Sequence, residues 1–341
     1  MHLPTFLLTA LVAPLVAGHP GHDHAKELGT RLEFLANNKN DLSHCAEKMR
    51  TRGLFAANAQ RRSELAETIL KKRGLEARAI SDSHKSTASY TAQTELSTIF
   101  AGNSSCVLSP EQIEGPYYVS GERIRQDVTE DQDGVPLAVD IQVVDMDTCE
   151  PIPGAYLEIW HCNATGVYGG VVASGNGVGD QDKANLNNTW LRGVQKTDAH
   201  GAVQFHTIFP GHYIGRTTHI HVAVHLKAEP QANGTLLDTT AAHVGQMYFD
   251  QDLIAAVEKQ APYTANKQAL TTNSQDFLLT AAGQTSDPVM EYVVLGKGVE
   301  DGLLAWLGFG VNTTLAREMS AAATIYESGG VANPNAEYYN V

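Results

Sequence analysis

The segment Thr218-His-Ile-His-Val-Ala-Val-His-Leu226 alternates without a break. Successive side chains of a β-strand point to opposite faces. His219, His221, Ala223 and His225 therefore share one face, and Ile220, Val222, Val224 and Leu226 the other. The second set is a core face, which turns the histidines away from that layer. Residues two apart on a strand lie roughly 6.5 Å apart along it, so two imidazoles can converge on one metal ion. By the same rise His225 lies about 13 Å beyond His221, too far to join them.

Other segments carry the same period. Leu137, Val139, Ile141 and Val143 alternate with Ala138, Asp140 and Gln142, and Ala155, Leu157 and Ile159 with Tyr156, Glu158 and Trp160. Val203 to Ile208 is similar, and the two prolines and one glycine between Asp147 and Gly154 read as a turn. Short alternating strands with turn-rich links predict a mainly β fold: an antiparallel β-sandwich with peripheral helices and an N-terminal helical segment. Leu253–Val257 and Leu315–Tyr326 are expected to be helical. So is 25–73, where Leu32, Leu35, Leu42, Met49, Leu65, Ile69 and Leu70 fall near helical spacing. That stretch ends in Lys71-Lys72-Arg73-Gly74, a dibasic processing site if the chain is secreted. The segment is then either a pro-segment or a helical cap that stays attached.

The expected organisation is a signal peptide at 1–18, the helical segment at 19–73, a Ser/Thr/Ala-rich linker at 74–105, a β-sandwich domain at 106–280 and a C-terminal extension at 281–341. Phe6 to Val16 is an apolar run followed by small residues before a cut. No later apolar run reaches the roughly 18–20 residues a membrane span needs. Five N-x-S/T sequons, at Asn103, Asn163, Asn187, Asn233 and Asn312, agree with a secreted glycoprotein. None of Cys45, Cys106, Cys149 and Cys162 stands in a C-x-x-C pair, so disulfides are expected rather than a zinc site. Residues 1–85 hold 13 basic and 9 acidic side chains, the remainder 11 and 29. A body this acidic repels nucleic acid and anionic lipid, which excludes those partners. The run His19-Pro-Gly-His-Asp-His24 reads either as a solvated tail or as a copper or nickel site. The run Gly302–Phe309 is apolar enough to pack on the body or to form an interface.

An H-x-H pair on a strand fits structural histidines as well as a metal site. A nearby carboxylate would suggest iron(II), and a third histidine zinc or copper. The neighbours here are Tyr213 and Arg216 in a glycine-rich turn, and Tyr168 within Asn163-Ala-Thr-Gly-Val-Tyr-Gly-Gly170. Together with Glu114-Gly-Pro-Tyr-Tyr118, Leu157-Glu-Ile-Trp-His-Cys-Asn163, Arg192-Gly-Val-Gln-Lys-Thr-Asp198 and Gly245-Gln-Met-Tyr-Phe249, this combination resembles the intradiol ring-cleavage dioxygenases. That is the family of catechol 1,2-dioxygenase and protocatechuate 3,4-dioxygenase, and the chain looks closer to its secreted fungal-type members.

The resemblance implies one ferric ion per chain, held by Tyr168, Tyr213, His219 and His221. It implies Arg216 as an active-site arginine, Gln246 as a pocket residue, and a substrate pocket lined by Tyr117 and Tyr118. The residue types suit that chemistry. A phenol has an ordinary pKa near 10, and an adjacent trivalent cation favours the phenolate. Tyr213 is the expected base for one catechol proton, and Arg216 a preorganised cation for negative charge developing on the ring. The implied activity is cleavage of catechol-type aromatics by O2 to cis,cis-muconate-type products outside the cell. Two other readings stay open: a catalytically silent secreted β-sandwich that binds aromatic or carbohydrate ligands, and a secreted copper- or zinc-binding protein.

Overall fold

The alternation becomes two stacked sheets in a computed structural model, which describes residues 42–75, 79–81, 98, 100, 114–173, 175–177, 181–283 and 286–336. Nine strands build them: β1 (Ala79–Ser81), β2 (Pro136–Asp145), β3 (Tyr156–Trp160), β4 (Arg192–Lys196), β5 (Ala202–Ile208), β6 (His219–His225), β7 (His243–Tyr248), β8 (Glu291–Leu295) and β9 (Leu303–Val311). The first sheet has the order β1-β8-β9-β2-β5, the second β7-β6-β3-β4. All pairings in the two sheets are antiparallel except that of β9 with β2, which is parallel. Leu137, Val139, Ile141, Leu157, Ile159, Ile220, Val222 and Val224 meet between the sheets in one buried core. The apolar face of β6 is thus spent on the core, and its histidine face looks outward from the second sheet.

The sandwich extends past the boundary expected at residue 280. Strand β9 lies between β8 and β2, and every one of its residues is buried. Leu303, Ala305, Leu307 and Phe309 face the core, while Leu304 and Trp306 face the N-terminal helix. A strand covered on both sides reads as a continuous apolar run with no period, so Gly302–Phe309 is a central strand of the body. The helix expected over Leu315–Tyr326 is absent. Arg317–Glu318 pairs with Thr240–Ala241, and Ala323–Tyr326 pairs with Val119–Ser120 and Gly329–Ala332. Cross-strand partners override the helix propensity of Ala321-Ala-Ala323. These short strands put Met319 and Ala321–Ala323 over Trp160, Tyr117 and Tyr118, making a third layer on the outer face of the second sheet. The region read as a linker contributes the edge strand β1, which pairs with β8.

Helices α1 (Ala46–Thr51) and α2 (Leu54–Arg73) cover the outer face of the first sheet. Helix α2 stops where its sequence says it should. Three basic residues complement its last turn, and Gly74 adopts the left-handed conformation with its N–H on Leu70 and Lys71 carbonyls. Its buried face mixes Leu65, Ile69 and Leu70 with Asn58 and Arg62. The polar members are paired. Asn58 and Gln142 exchange amide hydrogen bonds, and Arg61 and Arg62 both donate to the fully buried Asp140. Burial alone would raise the Asp140 carboxyl, but the two guanidiniums outweigh it and hold it below the usual range. Cys45 and Cys149 form a disulfide that ties the helical segment to the sandwich. Cys162 is a buried free thiol. Asn103, Cys106 and the His19–His24 run lie outside the described residues.

Candidate metal centre

Two loops and one strand converge on the outer face of the second sheet. Strand β6 supplies His219 and His221. The loop between β5 and β6 supplies Tyr213 and Arg216, and the loop after β3 supplies Tyr168. The loops interlock at two glycines. A side chain on Gly166, which sits at φ +81°, would collide with the His212 carbonyl oxygen, and one on Gly211 would meet the Ala164 and Asn163 carbonyl oxygens at 2.5 Å. Only glycine allows this approach. Asn176 fixes the Tyr168 backbone by accepting from its N–H at 2.7 Å and donating to its carbonyl at 2.8 Å. Asn185 donates to the same carbonyl at 2.8 Å.

The four expected ligands meet. His219 Nε2 and His221 Nε2 are 3.1 Å apart, and the Tyr213 hydroxyl is 3.4 Å from His219 Nε2. The Tyr168 ring stands edge-on to Tyr213, with centroids 5.5 Å apart, and edge-on to His221 at 6.1 Å. All four side chains are buried. His219 Nδ1 donates to the Thr217 carbonyl at 2.6 Å, which leaves the Nε2 lone pair directed at the cluster. Trp160, opposite His221 in the β3–β6 register, stacks flat on its ring at 4.8 Å. His225 is elsewhere, paired with Glu158 at 3.1 Å, as the strand rise predicts.

The electrostatics suit a cation. Burial first, then the nearby Arg216 charge, lowers His219 to about 3, and burial with neighbouring His219 holds His221 well below its ordinary value. Burial pushes both Tyr168 and Tyr213 well above 10. By themselves, then, the four groups are two neutral imidazoles and two neutral phenols. The buried Tyr168 hydroxyl makes no hydrogen bond of ordinary geometry. A metal ion would complete this set, taking two imidazole lone pairs and reversing the phenols' preference for the protonated form.

Arg216 is buried beside the cluster. Its Nε donates to Asp276 Oδ2 at 2.8 Å; its Nη2 donates to Gln246 Oε1 and, at 3.1 Å, to the Tyr248 hydroxyl. Burial would lower this guanidinium, but the Asp276 carboxylate more than compensates and keeps it charged. Gln246 lies opposite His221 on β7, and the Tyr248 hydroxyl donates to Gln246 Oε1 at 2.7 Å. Of the two expected pocket tyrosines, Tyr117 reaches the centre, stacked on Tyr168 at 4.7 Å and edge-on to Tyr213 at 5.7 Å. Tyr118 does not: its ring packs on Trp160 while its hydroxyl faces the Asp238 carbonyl.

Asp276 and Tyr248 escaped the sequence reading. Tyr248 carried a signal, because it is two residues from Gln246 on one strand and therefore shares its face. Asp276 carried only the signal of a helix cap before Phe277-Leu-Leu279. Among the described residues one other group has metal-ligand spacing, His44, Cys45 and Cys149. Its two sulfurs are joined in the disulfide.

Fold and centre together define a β-sandwich protein with a buried site of two phenolic and two imidazole donors beside a fixed guanidinium. Comparison with known proteins narrows this. A family model described as dioxygenase matches residues 113–277. Catechol 1,2-dioxygenase 1 of Acinetobacter lwoffii is 34% identical over 110 residues, 31% of this chain and 32% of the relative. Catechol 1,2-dioxygenase of Pseudomonas sp. strain EST1001 is 45% identical over 65 residues, 18% of this chain and 21% of the relative. The chain therefore spans about a third or less of these curated relatives. Among solved structures, an intradiol ring-cleavage dioxygenase from Tetranychus urticae is 32% identical, covering 60% of this chain and 94% of that one, with a TM-score of 0.48. The chain belongs to the intradiol ring-cleavage dioxygenase family.

Proposed function

We propose that this chain is a secreted, Fe(III)-dependent dioxygenase that opens catechol-type rings between the two hydroxyl-bearing carbons, giving cis,cis-muconate-type products. The observation that carries the reading is that His219 Nε2 lies 3.1 Å from His221 Nε2 and 3.4 Å from the Tyr213 hydroxyl, with the buried Tyr168 ring edge-on to both Tyr213 and His221. The disulfide between Cys45 and Cys149 supports an oxidising compartment and hence secretion.

Tyr168, Tyr213, His219 and His221 would hold the iron. Bound there, a ferric ion would supply the Lewis-acid and redox chemistry that makes a catechol-type ring reactive toward O2. The remaining chemistry falls to the chain's own groups. As a phenolate, Tyr213 would accept one catechol hydroxyl proton at its phenolic oxygen and become a phenol. Arg216 stabilises negative charge developing on the ring. It is already charged, desolvated and held on two sides, so no reorganisation is required at the moment of reaction. Trp160 and the Thr217 carbonyl fix the two imidazole planes. The Tyr117 ring covers Tyr168 and excludes water from that side.

Metal analysis, visible spectroscopy and O2 uptake with a panel of catechols test the reading. About one iron per chain, a burgundy tyrosinate-to-metal colour and stoichiometric ring opening are expected. A folded preparation that is fully loaded with iron(III) yet colourless, or that carries copper or zinc instead, overturns it.

A further inference from the structure

We infer that Asp276 is the positioning residue for Arg216, and that its carboxylate fixes the guanidinium and the peptide behind His219 as one unit. The catalytic part of this inference rests on the dioxygenase reading; the positioning part does not.

An arginine on a loop has four rotatable bonds, and a long side chain loses up to about 2 kcal/mol of conformational entropy on being fixed. Something must hold it. The loop backbone does not, since Arg216 follows Gly215 at φ +85°. The Asp276 carboxylate does. Its Oδ1 accepts from Leu279 N at 2.9 Å, which anchors it to the first turn of helix α4 (Phe277–Ala282; helix α3 is Gln251–Val257). Its Oδ2 accepts from Thr217 N at 2.8 Å and from Arg216 Nε at 2.8 Å. Two backbone donors thus orient the carboxylate independently of the arginine, and the arginine docks onto a preset acceptor.

The same peptide continues the chain of contacts. Thr217 donates its N–H to Asp276, and its carbonyl accepts from His219 Nδ1 at 2.6 Å. The Thr217 hydroxyl donates to Asn273 Oδ1 at 2.6 Å, and Asn273 Nδ2 donates to the Phe249 carbonyl at 2.9 Å. The loop carrying Tyr213 and Arg216 is therefore clamped along 273–276. Asp276 is wholly buried and its Oδ2 is shared between a backbone N–H and a charged donor. A carboxylate needed only to cap a six-residue helix has no reason to be sealed against Arg216, because exposed serine or asparagine caps equally well.

The test uses the full chain and three variants, loaded with diamagnetic gallium(III) for NMR and with iron for turnover. Asp276→Asn keeps the shape and one acceptor. Asp276→Ser keeps a helix cap and removes the acceptor that reaches Arg216. Arg216→Gln assigns the arginine signal. In 15N-detected NMR, the Arg216 Nε–H resonance is expected to be protected from solvent exchange in the wild type and absent from Arg216→Gln. In Asp276→Ser it is expected to become exchange-broadened while the remaining amide spectrum stays dispersed. Protection that survives in Asp276→Ser or, if that variant does not fold, in a fourth variant, Asp276→Ala, which has no side-chain acceptor, overturns the inference. In turnover, Asp276→Asn should lower kcat by about 10–100-fold with KM within about two-fold, as expected when an interaction made in the transition state is loosened. The Arg216→Gln/Asp276→Asn pair should be no slower than Arg216→Gln alone, because the two act as one unit. Multiplying losses would mean that Asp276 acts separately, as a cap. If the wild type neither colours nor turns over catechols, the dioxygenase reading fails, while the arginine resonance still decides whether Asp276 holds Arg216.

Discussion

Two buried arginine–aspartate pairs stand on opposite outer faces of the sandwich, and they are built differently. On the first sheet, Asp140 is met by Arg61 through both Nε and Nη2, at 2.7 and 2.8 Å, by Arg62 at 3.0 Å and by Gln204 at 3.2 Å. Every donor there is a side chain, and the pair pins helix α2 to the sheet. On the second sheet, Asp276 takes two backbone N–H groups and one edge of Arg216, whose Nη2 is turned to Gln246 and Tyr248. The first arrangement saturates a carboxylate and spends both cations on structure. The second uses a carboxylate to aim a cation. Mutations on the two faces should therefore separate cleanly into effects on stability and effects on turnover.

The largest effect is expected at the centre. Tyr213→Phe removes the oxygen proposed as metal ligand and proton acceptor, and should lower kcat by about 10²–10⁴-fold with the fold intact. Circular dichroism and O2 uptake on the same sample check this; undiminished turnover would remove Tyr213 from the chemistry. On the other face, Asp140→Ala leaves two guanidiniums without their buried partner and should cost about 3–5 kcal/mol in denaturant unfolding. Activity per folded molecule should be unchanged. If Asp140→Ala instead lowers kcat as Asp276→Asn does, the distinction between the faces disappears.

Much of this was legible in the sequence, and the missing parts share a cause. The alternation from Thr218 to Leu226 is a period-2 pattern with one core face, so β6 and its histidine face could be read directly. Tyr168, Tyr213, Arg216 and Gln246 were legible through their motifs. Strand β9 was not, because a strand buried on both faces has no period. The burial of α2 was obscured for the opposite reason: part of its buried face is Asn58 and Arg62, whose partners Gln142 and Asp140 lie about 80 residues away, separated in sequence by 84 and 78 positions. Asp276, 60 positions from Arg216, is the same case. Local pattern reveals which face is apolar. It does not reveal which buried polar groups will find one another.

A third test addresses how the helical face stays attached. The Cys45–Cys149 disulfide closes a separation of 104 residues, and removing it with Cys149→Ser should cost about 2–4 kcal/mol. We propose that cleavage after Arg73, which is exposed together with Lys71 and Lys72, yields two chains that stay together. They should run as one band without reductant and as two with it. A helical fragment lost from the unreduced protein would show that 19–73 is a removable pro-segment.

The smallest effect sharpens the comparison most, because it sets a third buried arginine–carboxylate pair against the first. Glu122 is buried with Arg192 Nη1 3.7 Å away, and neither carboxylate oxygen has a hydrogen bond. Arg192 is instead committed by Nε and Nη2 to the Gly169 and Tyr117 carbonyls. At Asp140 the hydrogen bonds outweigh burial and lower the carboxyl; at Glu122 burial outweighs Arg192 and Arg125, with Glu158 and Glu130 adding to the rise, and the carboxyl is pushed up to about 8. An acid whose folded value exceeds its unfolded value near 4.3 binds more protons when folded. Its stabilising contribution is complete below that lower value and is lost as pH rises through about 8. Thermal unfolding should therefore shift to lower temperature between pH 6 and pH 8.5, and Glu122→Gln should flatten that part of the profile. An unchanged slope in Glu122→Gln would mean that Arg192 stabilises the carboxylate across 3.7 Å without a hydrogen bond, and that direct contact is not what separates the two pairs.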